Sequence, residues 1–265
     1  MLNRFRLIQT SKSYNRFDIY GFGYDSVSRD NYKILRINQG QLSTEIEIYE
    51  FKSKLWRSVD ATLECYAHAL RGSVSMNGNM YWIARKKMVN SETENEIFIQ
   101  NFDFSTETFK PICCVPKGIE YSLSNGKIVL LSDFGGDMLS LLHHHKNVKI
   151  EVWVTSKLAD GVVSWSKYFN VTYDPFVLHS TSRRRIGPTC FIHKTNKIML
   201  LCPEYDAQEN NVYIDVYEMC KDEIKKQVEM TGRHIFFYTP CSVYVPSLVP
   251  VTFMGALAVE SKLEQ

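Results

Sequence analysis

A weak unit recurs along this chain: a short strand, a turn that often carries Asn and Gly, a hydrophobic strand, an aromatic strand, then a shorter closing strand. The clearest copies of the turn and the strand after it are Met76-Asn77-Gly78-Asn79-Met80-Tyr81-Trp82-Ile83, Leu123-Ser124-Asn125-Gly126-Lys127-Ile128-Val129-Leu130-Leu131 and His193-Lys194-Thr195-Asn196-Lys197-Ile198-Met199-Leu200-Leu201. An Asn-Gly or Asn-Lys pair between apolar runs supplies the positive φ angles that primed two-residue turns need, so each copy predicts a tight β-hairpin. Self-similarity of this kind constrains architecture before any single motif does.

Four units follow one another. The first runs from Ile19-Tyr20-Gly21-Phe22-Gly23-Tyr24 through Tyr32–Ile37 and the alternating Glu45-Ile46-Glu47-Ile48-Tyr49-Glu50-Phe51 to Leu55–Val59. The second uses Gly72–Met76, Met80–Ile83, Glu96–Phe104 and Thr108–Ile112; the third Ile119–Leu123, Lys127–Leu131, Val148–Val154 and Ser164–Phe169; the fourth Pro188–Ile192, Lys197–Leu201, Asn211–Tyr217 and Ile224–Glu229. Aromatics near the end of the third strand, Tyr49, Phe102, Trp153 and Tyr217, recur at intervals of 53, 51 and 64 residues, and those of the fourth, Trp56, Phe109 and Trp165, at 53 and 56. Four-stranded units of this length are blades of a β-propeller, close to the roughly 50 residues of a kelch repeat. The expectation is an all-β, kelch-like propeller of four-stranded antiparallel blades, with units at about 17–60, 70–113, 118–171 and 187–230 plus a partial one, one domain over 1–250 and a tail over 251–265. Ala61–Leu70 reads as a turn or two of helix, and Lys86–Asn95, Phe134–Lys146 and Thr172–Gly187 read as insertions between strands.

Composition narrows the functional classes. Thirty-one Lys and Arg against 29 Asp and Glu leave a net charge of +2, too weak a field to hold a polyanion or an acidic membrane, so neither nucleic acid nor membrane is an expected partner. Seven cysteines without C-x-x-C spacing suit reduced thiols, and with no apolar leader the expected location is cytoplasm or nucleus.

The run Tyr20-Gly21-Phe22-Gly23-Tyr24-Asp25-Ser26-Val27-Ser28-Arg29-Asp30-Asn31-Tyr32-Lys33-Ile34-Leu35-Arg36-Ile37 resembles the signature of plant F-box-associated interaction domains. So do Tyr49–Arg57, Asn77–Trp82, Phe102–Phe109, Val152-Trp153-Val154 with Trp165, and Val243–Val249, in order over roughly residues 4 to 250. The resemblance implies a non-catalytic protein–protein interaction module that captures the substrate of a Skp/cullin/F-box ubiquitin ligase for ubiquitin-mediated degradation. Its implied partners are a protein substrate and, only where an F-box is supplied, a Skp-type adaptor. Measured against the family pattern, the chain is expected to lack the helical F-box and most of a first blade, with Val243–Val249 pairing near Arg4–Ile8 to mend the ring. The alternative readings are a truncated or decoy F-box-like protein without ligase coupling, and a kelch-like small-ligand-binding protein or enzyme.

Candidate sites are few. His143-His144-His145 has no acidic or cysteine neighbour at ligand spacing and reads as a solvated loop tip rather than a metal site. Cys113-Cys114 reads as packing at a strand end rather than a redox pair, and Cys190 and Cys202 as blade core. Arg183, Arg184 and Arg185 lie on the longest insertion; they read first as an ordinary charged loop and otherwise as a grip on an acidic or phosphorylated partner segment. Without a G-x-S-x-G elbow, a phosphate loop or an H-E-x-x-H pair, no catalytic residue, cofactor or metal is expected.

Overall fold

The computed structural model describes residues 8–9, 18–28, 30–39, 43–67, 73–86, 97–119, 128–145, 149–160, 162–172, 189–192, 198–206, 211–220 and 223–233. Apart from a single 3-10 turn at Leu158–Asp160, their regular structure is strand: β1 (Ile19–Tyr24), β2 (Tyr32–Gln39), β3 (Thr44–Glu50), β4 (Leu55–Ser58), β5 (Cys65–Ala67), β6 (Ser73–Met76), β7 (Asn79–Lys86), β8 (Ile97–Asp103), β9 (Thr108–Cys114), β10 (Ile128–Phe134), β11 (Met138–His145), β12 (Lys149–Thr155), β13 (Trp165–Thr172), β14 (Thr189–Ile192), β15 (Ile198–Asp206), β16 (Asn211–Cys220) and β17 (Glu223–Arg233). They form four sheets in sequence order, β1–β4, β5–β9, β10–β13 and β14–β17. Neighbouring strands within each are antiparallel.

One strand of each sheet stands beside one of the next: β1 against β6, β6 against β10, and β10 against β14. This is the arrangement of blades around a propeller axis. The stacking explains why β7 does not alternate apolar and polar residues. Met80, Trp82 and Ala84 pack against blade 1, with Leu35, Ile37 and Ile48; Tyr81 and Ile83 turn the other way, into a core shared with Val129, Leu131 and Leu141 of blade 3. A sheet covered on both faces needs apolar side chains on both. The outermost strands are the wet ones, with all but Trp56 of β4 exposed.

Two glycines of the Tyr20–Tyr24 run mark where blade 2 presses on blade 1. A Cβ at Gly21 would stand 1.9 Å from the Met80 sulfur, and one at Gly23 would stand 2.2 Å from the ring of Phe104. Phe104 is fully buried, so its ring occupies the volume that any side chain at 23 would need. The run is therefore a packing surface as well as a strand.

The closing turns of blades 1 and 2 repeat at atomic detail. Lys54 N donates to Glu50 O and Glu107 N donates to Asp103 O, both at 2.8 Å, and both Lys54 and Glu107 sit at positive φ, 62° and 55°. The aromatic landmarks fall on the third strand of every blade. Tyr49 lies opposite Trp56 and Phe102 opposite Phe109, whereas in blade 3 Trp153 lies across from Lys167 and Trp165 across from Thr155.

Three local expectations need correction. Of Ile119–Leu123, expected as the first strand of the third unit, only Ile119 lies among the described residues, and outside any strand; the four described strands of the third sheet start at Ile128, and Gly135 and Gly136, at φ 69° and 85°, turn the chain straight back after the first of them. The stretch read as an insertion, Phe134–Lys146, thus supplies strand β11, which carries the histidine triple. His143 is 1% exposed rather than solvated and lies across the ladder from Val129 and Glu151. Within Ala61–Leu70, residues Cys65–Ala67 are a strand paired to Lys86–Ala84, not helix: the end of β7 offers an unpaired edge beyond β6, and β5 takes it.

The seam predicts that Gly23→Ala lowers stability by about 1–3 kcal/mol, the usual cost of overfilling a packed core. Gly21→Ala should cost less, since the Met80 side chain can turn aside where a buried ring cannot. Urea unfolding of the two variants checks the order.

Candidate interaction surface

Because strands alternate in direction, the turns after β1, β3, β6, β8, β10 and β12 emerge at one end of blades 1 to 3. Hydrogen bonds tie them across blades. Ser26 of blade 1 donates through its backbone N to Ser105 Oγ of blade 2 at 2.8 Å, and their hydroxyls lie 2.8 Å apart. Asn77 Nδ2 of blade 2 donates to Gly136 O of blade 3 at 2.6 Å. Leu158 N then donates to Asp137 O at 3.1 Å, fastening the β12–β13 connection to the β10–β11 turn.

Charge reinforces the first of these joints. Lys33 Nζ, on a side chain only 6% exposed, donates to Phe104 O and to Glu107 Oε1, each at 2.8 Å. Arg57 donates to Glu107 Oε2 at 2.8 Å, closely to Glu107 Oε1, and to Glu50 Oε1 at 2.7 Å. Burial by itself would raise the Glu107 carboxyl, but the Arg57 and Lys33 cations outweigh it and hold it below its usual 4.5. The Glu107 and Glu50 carboxylates keep Arg57 protonated against the opposing effect of burial. Arg57 is 42% exposed, so solvent screening leaves most of the joint's worth with Lys33. The clamp also accounts for Glu107 at positive φ: Gly or Asn would sit there with less strain but could not reach both cations.

Tight turns on this frame present apolar tips. Asp25 Oδ1 accepts from Val27 N at 2.9 Å and from Ser28 N at 3.4 Å, bonds that hold its carboxyl below the usual range and point Val27 outward. Val27 is 87% exposed, Leu55 at the start of β4 67%, and Val162 in the β12–β13 connection 85%. Large apolar side chains held in water on rigid turns are suited to burial against a partner.

The face of blade 1 turned away from blade 2 is lined with aromatics. Phe22, 46% exposed, stacks on Tyr32 with ring centroids 5.6 Å apart and meets Phe51 edge-on. Trp56 Nε1 donates to Gln9 O at 2.8 Å, bringing the Ile8-Gln9 stretch onto the outer part of the face. Beneath lies a buried ionic triad in which Arg36 donates to Asp18 at 2.9 Å and to Glu47 at 2.5 Å. Sequence reading missed both ionic groups. The only signal was Lys33 and Arg36 among the apolar residues of β2, and charges inside a blade need partners.

Arg183, Arg184 and Arg185 lie outside the described residues, in the connection between β13 and β14, as do Arg4–Ile8 apart from Ile8 itself, and Val243–Val249. Cys113 packs against the core between blades 2 and 3, where burial pushes its thiol up to about 11. That is a poor nucleophile at neutral pH. Cys65 is buried in the blade 1–2 core.

Residues 1–251 match the family profile of the F-box associated beta propeller domain. The F-box/WD-40 repeat-containing protein 1 of Arabidopsis thaliana is 39% identical over 94% of this chain and 63% of its own length. An F-box protein of the same plant is 39% identical over 95% of this chain and 68% of its own. The chain thus spans about two thirds of the length of these relatives. A solved isopeptidase structure aligns with 80% of the chain at a TM-score of 0.28 and 10% identity, a level that carries no inference about fold or activity.

The clamp predicts a pH dependence. A depressed folded pKa makes Glu107 stabilising above the value it has in the unfolded chain, and that contribution disappears as pH falls through the folded pKa. Thermal midpoints measured downward from pH 7 should drop below about 4.5. Glu107→Gln should be about 1–3 kcal/mol less stable at pH 7 and show a shallower loss on acidification.

Proposed function

Because the chain belongs to the family of F-box associated β-propeller domains, we propose that it is the substrate-recognition module of an F-box subunit in a Skp/cullin/F-box ubiquitin ligase. The family match over residues 1–251 carries this reading. The cross-blade lattice of turns supports it physically, since a surface that presents Val27, Leu55 and Val162 on rigid supports gives up little conformational entropy on binding. The module itself is non-catalytic and recognises protein, in the cytoplasm or nucleus. Coupling to a Skp-type adaptor comes through an F-box and not through these blades. The 1–250 stretch acts as one domain, and the β13–β14 connection with Arg183, Arg184 and Arg185 contributes a second, variable contact for an acidic or phosphorylated segment.

A second reading is a decoy that holds the substrate without delivering it, since the matched family domain is named as F-box associated and not as the F-box itself. Quantitative affinity purification from plant tissue distinguishes the two. Wild type should retain at least one protein that a Val27→Asp/Leu55→Asp/Val162→Asp variant of unchanged thermal midpoint loses, and Ala at 183–185 should weaken the same partner further. Recovery of adaptor and cullin with that partner identifies a ligase subunit, and recovery of the partner alone identifies the decoy. A partner set identical for wild type and both variants contradicts recognition through these surfaces.

A further inference from the structure

The Asn77-Gly78 turn touches three blades. It joins β6 to β7 within blade 2, with both residues at positive φ, 52° and 75°. Asn77 Nδ2 is the donor that reaches Gly136 O of blade 3. Gly78 lies so close to blade 1 that a Cβ there would stand 2.7 Å from Tyr24 O. The Gly78 carbonyl also accepts from Phe104 N at 3.4 Å.

An Asn followed by Gly is chemically vulnerable, because no side chain shields the next backbone nitrogen from the Asn amide carbon. We propose that Asn77 is a site of intramolecular deamidation, gated by opening of the joint between blades 2 and 3. Gly78 N gives up its proton to solvent and attacks Asn77 Cγ; the new C–N bond forms, the Cγ–Nδ2 bond breaks, and Nδ2 departs as ammonia with a proton returned from solvent. The resulting succinimide adds one water and opens to Asp or to isoaspartate. The exchange is one water in and one ammonia out, with no oxidant or reductant.

The closed turn resists this step in two ways. Attack requires rotation about the Asn77 Cα–C bond, out of the primed-turn conformation that the hairpin imposes. It also requires the amide to leave Gly136, since the nitrogen held there is the leaving group. Once reaction has occurred, closure is impaired. An Asp at 77 sets a carboxylate against the Gly136 carbonyl where a donor stood, and isoaspartate adds a backbone methylene to a turn built for two residues. The hairpin that defines the repeat therefore carries a slow, irreversible clock on the joint between blades.

Peptide mapping by mass spectrometry at neutral pH and physiological temperature tests this on the whole chain. Conversion at Asn77 should be roughly tenfold or more slower in the folded protein than in urea, as expected of a reaction that needs local opening. Ile83→Val, which loosens the shared core without emptying it, should speed conversion in the folded state, and Asn77→Asp should lower the thermal midpoint. Equal rates in folded and unfolded chain, no conversion in the unfolded chain, or an Asn77→Asp variant as stable as wild type would each overturn the proposal.

Discussion

The contact on which the first two blades depend is a ring laid on a glycine. Phe104 leaves the end of β8, crosses to blade 1 and fills the space over Gly23, while Lys33 caps its carbonyl and Glu107 locks the turn behind it. Burying a Phe is worth about 1.5–3 kcal/mol, and the same insertion draws the polar ends of the turn into reach of Lys33, Arg57 and Ser26. Apolar contact and charge thus act on a single turn. A propeller has no hydrogen-bonded ladder running from blade to blade, so its blades are held in angle by side chains such as these.

Much of this was readable in the residues. Asn77-Gly78 marks a turn because positive φ is cheap there, and Tyr49, Phe102, Trp153 and Tyr217 mark third strands because sheet faces that repeat must be filled by side chains that repeat. The family signature was readable too, and with it the family, but the packing role of its glycines was not. Gly21 and Gly23 look like a loosened strand until the sulfur of Met80 and the ring of Phe104 are seen pressing on them. In long-range pairs such as Lys33 with Glu107 the strand pattern marks Lys33 as a charge among apolar residues but does not name its partner, 74 positions away. The histidine triple misled for a related reason. Polar residues at the end of Met138–Leu142 look like a loop tip, whereas Gly135-Gly136 had already turned the chain into a new strand with buried faces. Arg183, Arg184 and Arg185 stay with the sequence argument alone.

The division of labour follows from the topology. At one end of blades 1 to 3, short turns are bonded to their neighbours and hold Val27, Leu55 and Val162 in fixed positions. The connections between β7 and β8 and between β13 and β14 are longer in sequence, and loop length varies at little entropic cost. A scaffold locked by Gly23, Phe104 and Glu107 supplies the fixed turns while leaving the length of the connections free.

A double-mutant cycle between positions 23 and 104 addresses the seam most directly. Phe104→Ala empties the space that Gly23→Ala would overfill, so the account predicts that the double variant is more stable than the sum of the two losses implies, by about 1 kcal/mol or more. Strictly additive losses would show that the two positions do not share that space, and would contradict the account of how blade 2 is held on blade 1.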